Sequence, residues 1–515
     1  MPPPTVFCPG SVAGLLRVFR ALGALAFTCF MAHGVLAGEG TPAPGAVFND
    51  PRPPQVSELS APTIPAPQPN PDIQFHNPPK TLAKGARVRD WRLFLGPNHN
   101  GTCEETHLLK DLPQEGPPLV WEMPKGESYA SPAIAKGRLI FFHRLANEEV
   151  IECLHPETGE RYWRVAYPTD YKDRYGYNDG PRASPIVDEE DHVYTLGAAG
   201  VLSCIHLLTG HLFWQRDLLS EFKIPQDFFG VAATPLIEGN NLIINLGAPG
   251  GPCVAAFERA SGKLAWGAGH EWGPSCSAPI PAVFHGKRRV LVFAGGESRP
   301  PVGGLLSVDP VGGTIDFQFP WRSQSVESVN ASRPVVVGNR VFISASYQTG
   351  GAMLEVQPDG STKLLWTTQD LGTHFMTSIH KDGFLYGFDG RNEQDASLVC
   401  LDWNTGKLHW RKVLEWEEEV EWRGKKRTIR RGTFRGALVE AEGKFLCLGE
   451  LGSLQWLDLS PKGCREISRA KLFEAPESWT PPVVSHGLLY ICRNYQDLLT
   501  DKPPRLLCYD LRAPD

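Results

Sequence analysis

Apolar and polar positions alternate along this chain in a pattern that repeats. Short apolar, β-branched or aromatic runs recur, each bounded by polar residues and glycine: Arg138-Leu139-Ile140-Phe141-Phe142, His192-Val193-Tyr194-Thr195-Leu196, Asn241-Leu242-Ile243-Ile244, Arg289-Val290-Leu291-Val292-Phe293, Arg340-Val341-Phe342-Ile343, Phe384-Leu385-Tyr386, Lys444-Phe445-Leu446-Cys447 and Leu488-Leu489-Tyr490-Ile491. Runs this short predict buried strands, not helices. Each follows a segment that opens on a small or polar residue and usually proline: Ser131-Pro132, Ser184-Pro185, Thr234-Pro235, Ala278-Pro279, Arg333-Pro334 and Pro481-Pro482, with Thr377-Ser378 and Gly436-Ala437 as variants. Proline is tolerated at a strand's first residue, where a missing donor costs little.

Each unit continues into a turn such as Glu157-Thr158-Gly159, Leu208-Thr209-Gly210, Ala260-Ser261-Gly262 or Asn404-Thr405-Gly406, where glycine supplies the positive φ of a tight hairpin. A tryptophan follows in most units: Trp163, Trp214, Trp266, Trp366 and Trp410, with Phe317 or Phe319 in the fourth unit. A unit of roughly 40 to 55 residues built this way predicts an all-β propeller of four-stranded blades. The count is eight, or seven if the fourth or seventh unit is an insertion. The last unit stops short of its tryptophan strand, while Pro118-Leu119-Val120-Trp121-Glu122 stands alone before the first. That N-terminal strand is therefore expected to complete the last blade and close the ring without an open edge.

Outside the repeat, Arg17 and Arg20 precede an apolar run from Ala21 to Met31, and Val35-Leu36-Ala37 offers small residues before Gly38. Residues 1–37 thus predict a signal peptide cleaved after Ala37 and a periplasmic or secreted protein, with no membrane span. Residues 38–85 predict a disordered, solvated linker, with twelve prolines between positions 41 and 80. The propeller is expected over 86–515. A formal charge of −6 leaves no general attraction to nucleic acid. Ten cysteines follow the leader. Cys153, Cys204 and Cys400 each stand five residues before the threonine of a Thr-Gly turn, which makes them equivalent repeat positions and predicts buried free thiols.

Asp90-Trp91-Arg92-Leu93-Phe94-Leu95-Gly96-Pro97-Asn98, Gly180-Pro181-Arg182-Ala183, Trp479-Thr480-Pro481-Pro482 and the segment Cys400 to Trp410 together resemble the bacterial pyrroloquinoline-quinone-like (quinoprotein alcohol dehydrogenase-like) β-propeller repeat proteins, and also the outer-membrane assembly factor BamB. The resemblance spans Asp90 to Leu511 and implies two activities. Quinoprotein dehydrogenases of this superfamily bind pyrroloquinoline quinone and calcium near the propeller axis, and many carry a disulfide between adjacent cysteines. No Cys-Cys pair occurs here. BamB-like members are noncatalytic scaffolds. The leading expectation is an exported noncatalytic propeller that binds a cell-envelope protein partner or a small anionic ligand; the alternative is a quinone- and calcium-dependent dehydrogenase of alcohols or sugars.

The residues preceding each inner strand should gather at one mouth of the central channel. The candidate ligand-binding ring is Glu127, Tyr129, Asp179, Arg182, Glu327, Asn330, Arg333, His374, Arg435 and Trp479. Arginines with aromatic rings suit a planar anionic ligand, because guanidinium forks bind carboxylates bidentately. The competing expectation pairs Arg182 and Arg333 with Asp179 and Glu327, and has Trp479 cap the channel. His374 and His380, six apart, are too few for a metal site, and no metal or cofactor is assigned. Glu417, Glu418, Glu419 and Glu421, followed by Lys425, Lys426, Arg427, Arg430 and Arg431, predict a self-paired charged hairpin over 415–431 between the sixth and seventh blades.

Overall fold

In the computed structural model, residues 48–56, 63–226, 229–392, 396–422 and 425–514 are described. The expected signal peptide, the first residues of the linker and the tip of the charged hairpin lie outside them. The apolar runs form antiparallel strands that stack into eight blades. The first blade runs outward through Ala133–Ala135, Arg138–Leu145, Glu148–Leu154 and Arg161–Pro168. Six more follow over 186–217, 236–268, 280–320, 335–368, 379–412 and 437–471. The eighth takes three strands from the C-terminus, Val483–Ser485, Leu488–Arg493 and Arg505–Asp510, and its fourth, Leu119–Pro124, from the N-terminus. Ring closure therefore joins the two ends of the domain, and neither the fourth nor the seventh unit is an insertion.

Adjacent blades are held by one repeated contact. In six blades a tryptophan of the outermost strand pairs across the ladder with a third-strand residue, and a register shift follows at once: Cys153 faces Trp163, Cys204 faces Trp214, Ala256 faces Trp266, Met353 faces Trp366, Cys400 faces Trp410 and Cys508 faces Trp121. The bulge turns each indole toward the next blade. There Trp163 donates Nε1–H to the Leu207 carbonyl (2.8 Å), Trp214 to Arg259 (2.9 Å) and Trp266 to Pro310 (3.1 Å). The ring lies on the turn glycine: a Cβ at Gly210, Gly262, Gly313 or Gly406 would meet Trp163, Trp214, Trp266 or Trp366 within 2.7 Å. Glycine in each turn is thus required twice, for its positive φ and for the indole's approach. The equivalent cysteines are free buried thiols, as are most of the ten described.

Two N-terminal segments pack against the blades, the first of them within the stretch expected to be a free linker. Gln55–Val56 pairs with Gln215 and Trp214 at the outer edge of the second blade, and Gln74–Phe75 with Glu122 and Trp121 at the edge of the eighth. Gln68 bridges to Arg161 of the first. The described part of the proline-rich stretch is thus a strap paired at blade edges, while most of its side chains stay exposed to solvent. Few large side chains are needed for this, because an outer strand offers an unpaired row of backbone groups and prolines beside the paired residues need no donor.

The second segment, Asp90 to Cys103, closes one end of the channel. Trp91 bridges to Ile134 of the first blade's inner strand, and the Arg92 carbonyl accepts from Val187 of the second (2.9 Å). The Phe94 and His99 carbonyls accept from Arg333 ahead of the fifth blade, at 3.2 and 3.0 Å. Thr102–Cys103 lies parallel to the seventh blade's inner strand. The turn favours Gly96, whose φ of 85° is disfavoured for other residues and whose added Cβ would crowd the Trp91 indole at 3.1 Å. This backbone plug is what the Asp90-to-Asn98 motif builds.

Candidate functional site at the channel mouth

At the opposite end, loops entering the inner strands bring aromatic rings together. Trp479, ahead of the eighth blade, lies 5.5 Å from Tyr129 ahead of the first, 5.8 Å from Tyr177 ahead of the second and 5.4 Å from Phe375 ahead of the sixth, centroid to centroid. One ring can touch loops from such separated blades only near the axis, so Trp479 caps the channel. His374 packs beside it against Phe375 and Tyr347 and is held neutral, its pKa lowered to about 3 by burial and by the charges of Arg435 and Arg391.

The cations at this cap already have partners. Arg435 lies over Trp479 (5.3 Å) and binds both carboxylate oxygens of Glu450, one of them at 2.9 Å. The Trp479 Nε1–H donates to the same carboxylate at 2.7 Å. Arg182 lies over Tyr129 (5.6 Å) and pairs with Asp173 at 2.6 Å. Glu477 sits between these groups with φ at 58° and accepts from the Tyr129 hydroxyl. Burial raises its carboxyl to about 7, with the negative charge of Glu450 adding to the shift against the Tyr129 hydrogen bond.

Of the ten ring residues, Tyr129, Arg182, His374, Arg435 and Trp479 meet at this cap. Glu127 and Asp179 form its rim: the Asp179 N–H donates to Glu127 (3.2 Å), and the Asp179 carboxylate takes Lys172 (2.6 Å), so the expected Arg182–Asp179 pair is replaced by Arg182–Asp173. Glu327 is exposed and held by Ser325 (2.7 Å). Asn330 is buried, donating to the Ala294 and Trp321 carbonyls at 2.9 and 3.1 Å. Arg333 is not at the mouth; it latches the plug, and its other bonds go to the Ala278 and Pro279 carbonyls, not to Glu327. Burial lowers its pKa to about 9. His380 lies away from His374, packed on Trp403 at 4.8 Å. Asp173, Tyr177, Glu450 and Glu477 escaped the sequence reading. Glu450 belongs to a loop between a blade's second and third strands, which reaches the same face but carries no proline signal.

A quinone with calcium would need free guanidinium forks and converging oxygen ligands. Here the forks of Arg182 and Arg435 are taken by Asp173 and Glu450, and the Asn330 amide by backbone carbonyls. Among the described residues, the His, Cys, Asp and Glu side chains close enough to hold a metal are Asp188, Glu190 and His192, which follow the second blade's inner strand on the plug side, with Arg259 and Tyr194 on the Asp188 carboxylate at 2.8 and 3.0 Å. The residues present do not fit that cofactor.

The fold has known counterparts. BamB from Moraxella catarrhalis superposes with a TM-score of 0.50 at 14% identity, over 76% of this chain and 99% of that one. A europium-containing methanol dehydrogenase gives 0.56 at 9%, over 82% and 98%. The quinohemoprotein alcohol dehydrogenase from Comamonas testosteroni gives 0.52 at 10%, over 83% and 81%. Identities this low establish the fold alone. No curated protein matches the chain. No helix among the described residues is long and apolar enough to cross a membrane. The family model described as outer membrane protein assembly factor BamB matches residues 146–412, over half the sequence. The chain belongs to this family of pyrroloquinoline-quinone-like β-propellers.

Proposed function

We propose that this protein is an exported, noncatalytic propeller of the cell envelope that binds a protein partner through the channel-mouth face. The observation that carries the reading is the state of the cap: Arg182 and Arg435 are paired with Asp173 and Glu450, and its centre is filled by Trp479, which leaves a surface instead of a cofactor cradle. Around that cap stand exposed apolar side chains. Tyr175 and Tyr177 pack on Phe229 at 6.0 and 6.3 Å, and the Tyr495 hydroxyl donates to the Tyr177 carbonyl at 3.5 Å. Leu498 and Leu499 on the same eighth-blade loop are 59% and 57% exposed. Clustered exposed tyrosine and leucine mark protein-binding surfaces better than scattered ones do. The family's description as an assembly factor supports a partner, and the signal peptide expected over residues 1–37 supports export. A small anionic ligand is less well served, since the cap offers it no uncommitted guanidinium among Arg182 and Arg435.

The test is site-specific photocrosslinking in envelope extracts, with the crosslinker at Tyr177 or Leu499 and, as a control, at Val337 on the plug side. A discrete adduct from the mouth positions and none from Val337 supports the reading. Equal labelling from both ends, or none from either, contradicts it.

A further inference from the structure

We propose that a cleft on the mouth side of the third to fifth blades, adjoining the cap at Tyr347, is a binding site for a neutral oligosaccharide. The cleft has a volume of about 780 Å³, against about 480 and 360 Å³ for two others, and lies in the size range of ligand sites. Its walls carry Trp272, Trp321 and Tyr347, with Pro301, Val302 and Pro320. Neither tryptophan occupies the outer-strand position of the repeat. The repeat needs an indole inside the outermost strand, but Trp272 and Trp321 stand beyond the ends of Leu264–Ala268 and Ile315–Pro320, in loops leading to the next blade.

The lining is also electrically neutral. It holds no Asp, Glu or Lys, and its one charged residue, Arg322, is buried with its guanidinium donating to the Ser323, Ser325, Gly296, Val326 and Ser328 carbonyls. That side chain builds the wall and does not face a ligand. What remains are rings together with the amides of Gln324 and Gln348 and the Thr349 hydroxyl, the Ser323 and Ser325 hydroxyls being held by the Tyr347 carbonyl and the Glu327 carboxylate. Flat apolar faces beside uncharged donors and acceptors match a pyranose chain, whose C–H faces stack on rings while its hydroxyls take two-way hydrogen bonds. The charged groups nearest it are held at its edge: the Arg391 guanidinium lies over the Tyr347 ring at 4.2 Å, and Glu327 accepts from the Ser325 hydroxyl at 2.7 Å.

The walls are held in place. Trp321 donates Nε1–H to the Gly350 carbonyl (3.3 Å), Ser323 donates to the Tyr347 carbonyl (3.2 Å), and Trp321 stacks on Phe319 with 23° between the planes. Tyr347 and Gln348 are consecutive non-glycine residues at φ of 56° and 63°. Left-handed backbone of this kind costs energy, and here it shapes the turn that carries the Tyr347 wall.

The test is calorimetric titration of the full chain with cellohexaose, maltohexaose and chitohexaose, and with a neutral alternating alanine-proline dodecapeptide. At least one saccharide should bind saturably at millimolar concentration or below. Trp321→Ala should weaken binding at least about tenfold, and Val302→Arg, which places a charge at the exposed lip without removing core packing, should abolish it. Trp416→Ala, outside the cleft, should leave it unchanged. The proposal is overturned if no saccharide binds, if binding survives both cleft variants, or if only the peptide binds.

Discussion

The two ends of the channel are closed by opposite means. At the plug end, backbone does the closing: the carbonyls of Phe94 and His99 are gripped by the fully buried guanidinium of Arg333, which has no carboxylate among its bonds. At the mouth, side chains do it, with rings around Trp479 and with Arg182 and Arg435 matched to Asp173 and Glu450. A backbone latch is rigid and specific to one segment. A side-chain cap can be rearranged by a partner, and its surface can vary without disturbing the ring of blades. On the function proposed above, recognition belongs to the mouth and stability to the plug.

The largest expected effect follows from cutting the latch. Arg333→Met leaves four backbone carbonyls without their donor inside the channel, and should cost about 3–5 kcal/mol in urea unfolding or prevent folding. A loss under about 1 kcal/mol would show that the plug is not held there. Trp479→Ala removes a partly exposed ring whose neighbours can settle inward, so a smaller loss of about 2–3 kcal/mol is expected in the same measurement. If this variant proves the more damaging, the assignment of stability to the plug end is reversed.

A finer test uses pH. Because the Glu477 carboxyl is raised from 4.5 to about 7, the folded protein binds an extra proton between those values. Its contribution is full below about 4.5 and is lost as pH rises through about 7. Glu477→Gln should therefore be more stable than the parent by about 1–3 kcal/mol above pH 8, with the difference shrinking toward pH 5. Only the difference is informative, since His99, His143 and His374, each lowered to about 3, destabilise the fold as pH falls below their usual value of 6.5. A difference independent of pH would contradict the account of the cap. The smallest effect belongs to a region at neither end. In the charged hairpin, Glu417 faces Arg430 across the strands, and Lys426 lies 3.9 Å from Glu419 in full exposure. Lys426→Ala should change stability by under about 0.5 kcal/mol.

The architecture was legible because its causes are local. Strand runs, turn glycines and the outer-strand tryptophans recur at fixed offsets, and Leu119–Pro124 announces ring closure by lacking a blade of its own. The site was half legible. Proline offset identifies which loops reach the mouth but not the depth of each side chain along the axis. Trp479 precedes the second residue of its Pro481-Pro482 pair by three and stays at the surface, whereas Arg333, directly before Pro334, lies deeper and turns to the plug. Each residue in an extended segment advances about 3.3 Å and reverses its side-chain direction, so a shift of one position changes both. Ion-pair choice was equally hidden: Arg182 selects Asp173 over Asp179 because the loop between them folds back on itself, a distance that sequence order does not encode. The strap escaped because composition reports the side chains available for burial, while its pairing at Gln55–Val56 and Gln74–Phe75 uses backbone.

The most direct test of the closed, internally paired mouth is calorimetric titration of the purified protein with pyrroloquinoline quinone, with and without calcium, beside Arg182→Ala and Trp479→Ala. The paired arginines and the Trp479 cap predict no calcium-dependent binding in any of the three proteins. Saturable, calcium-dependent binding to the parent that is lost in both variants would contradict the account and make the mouth a cofactor site.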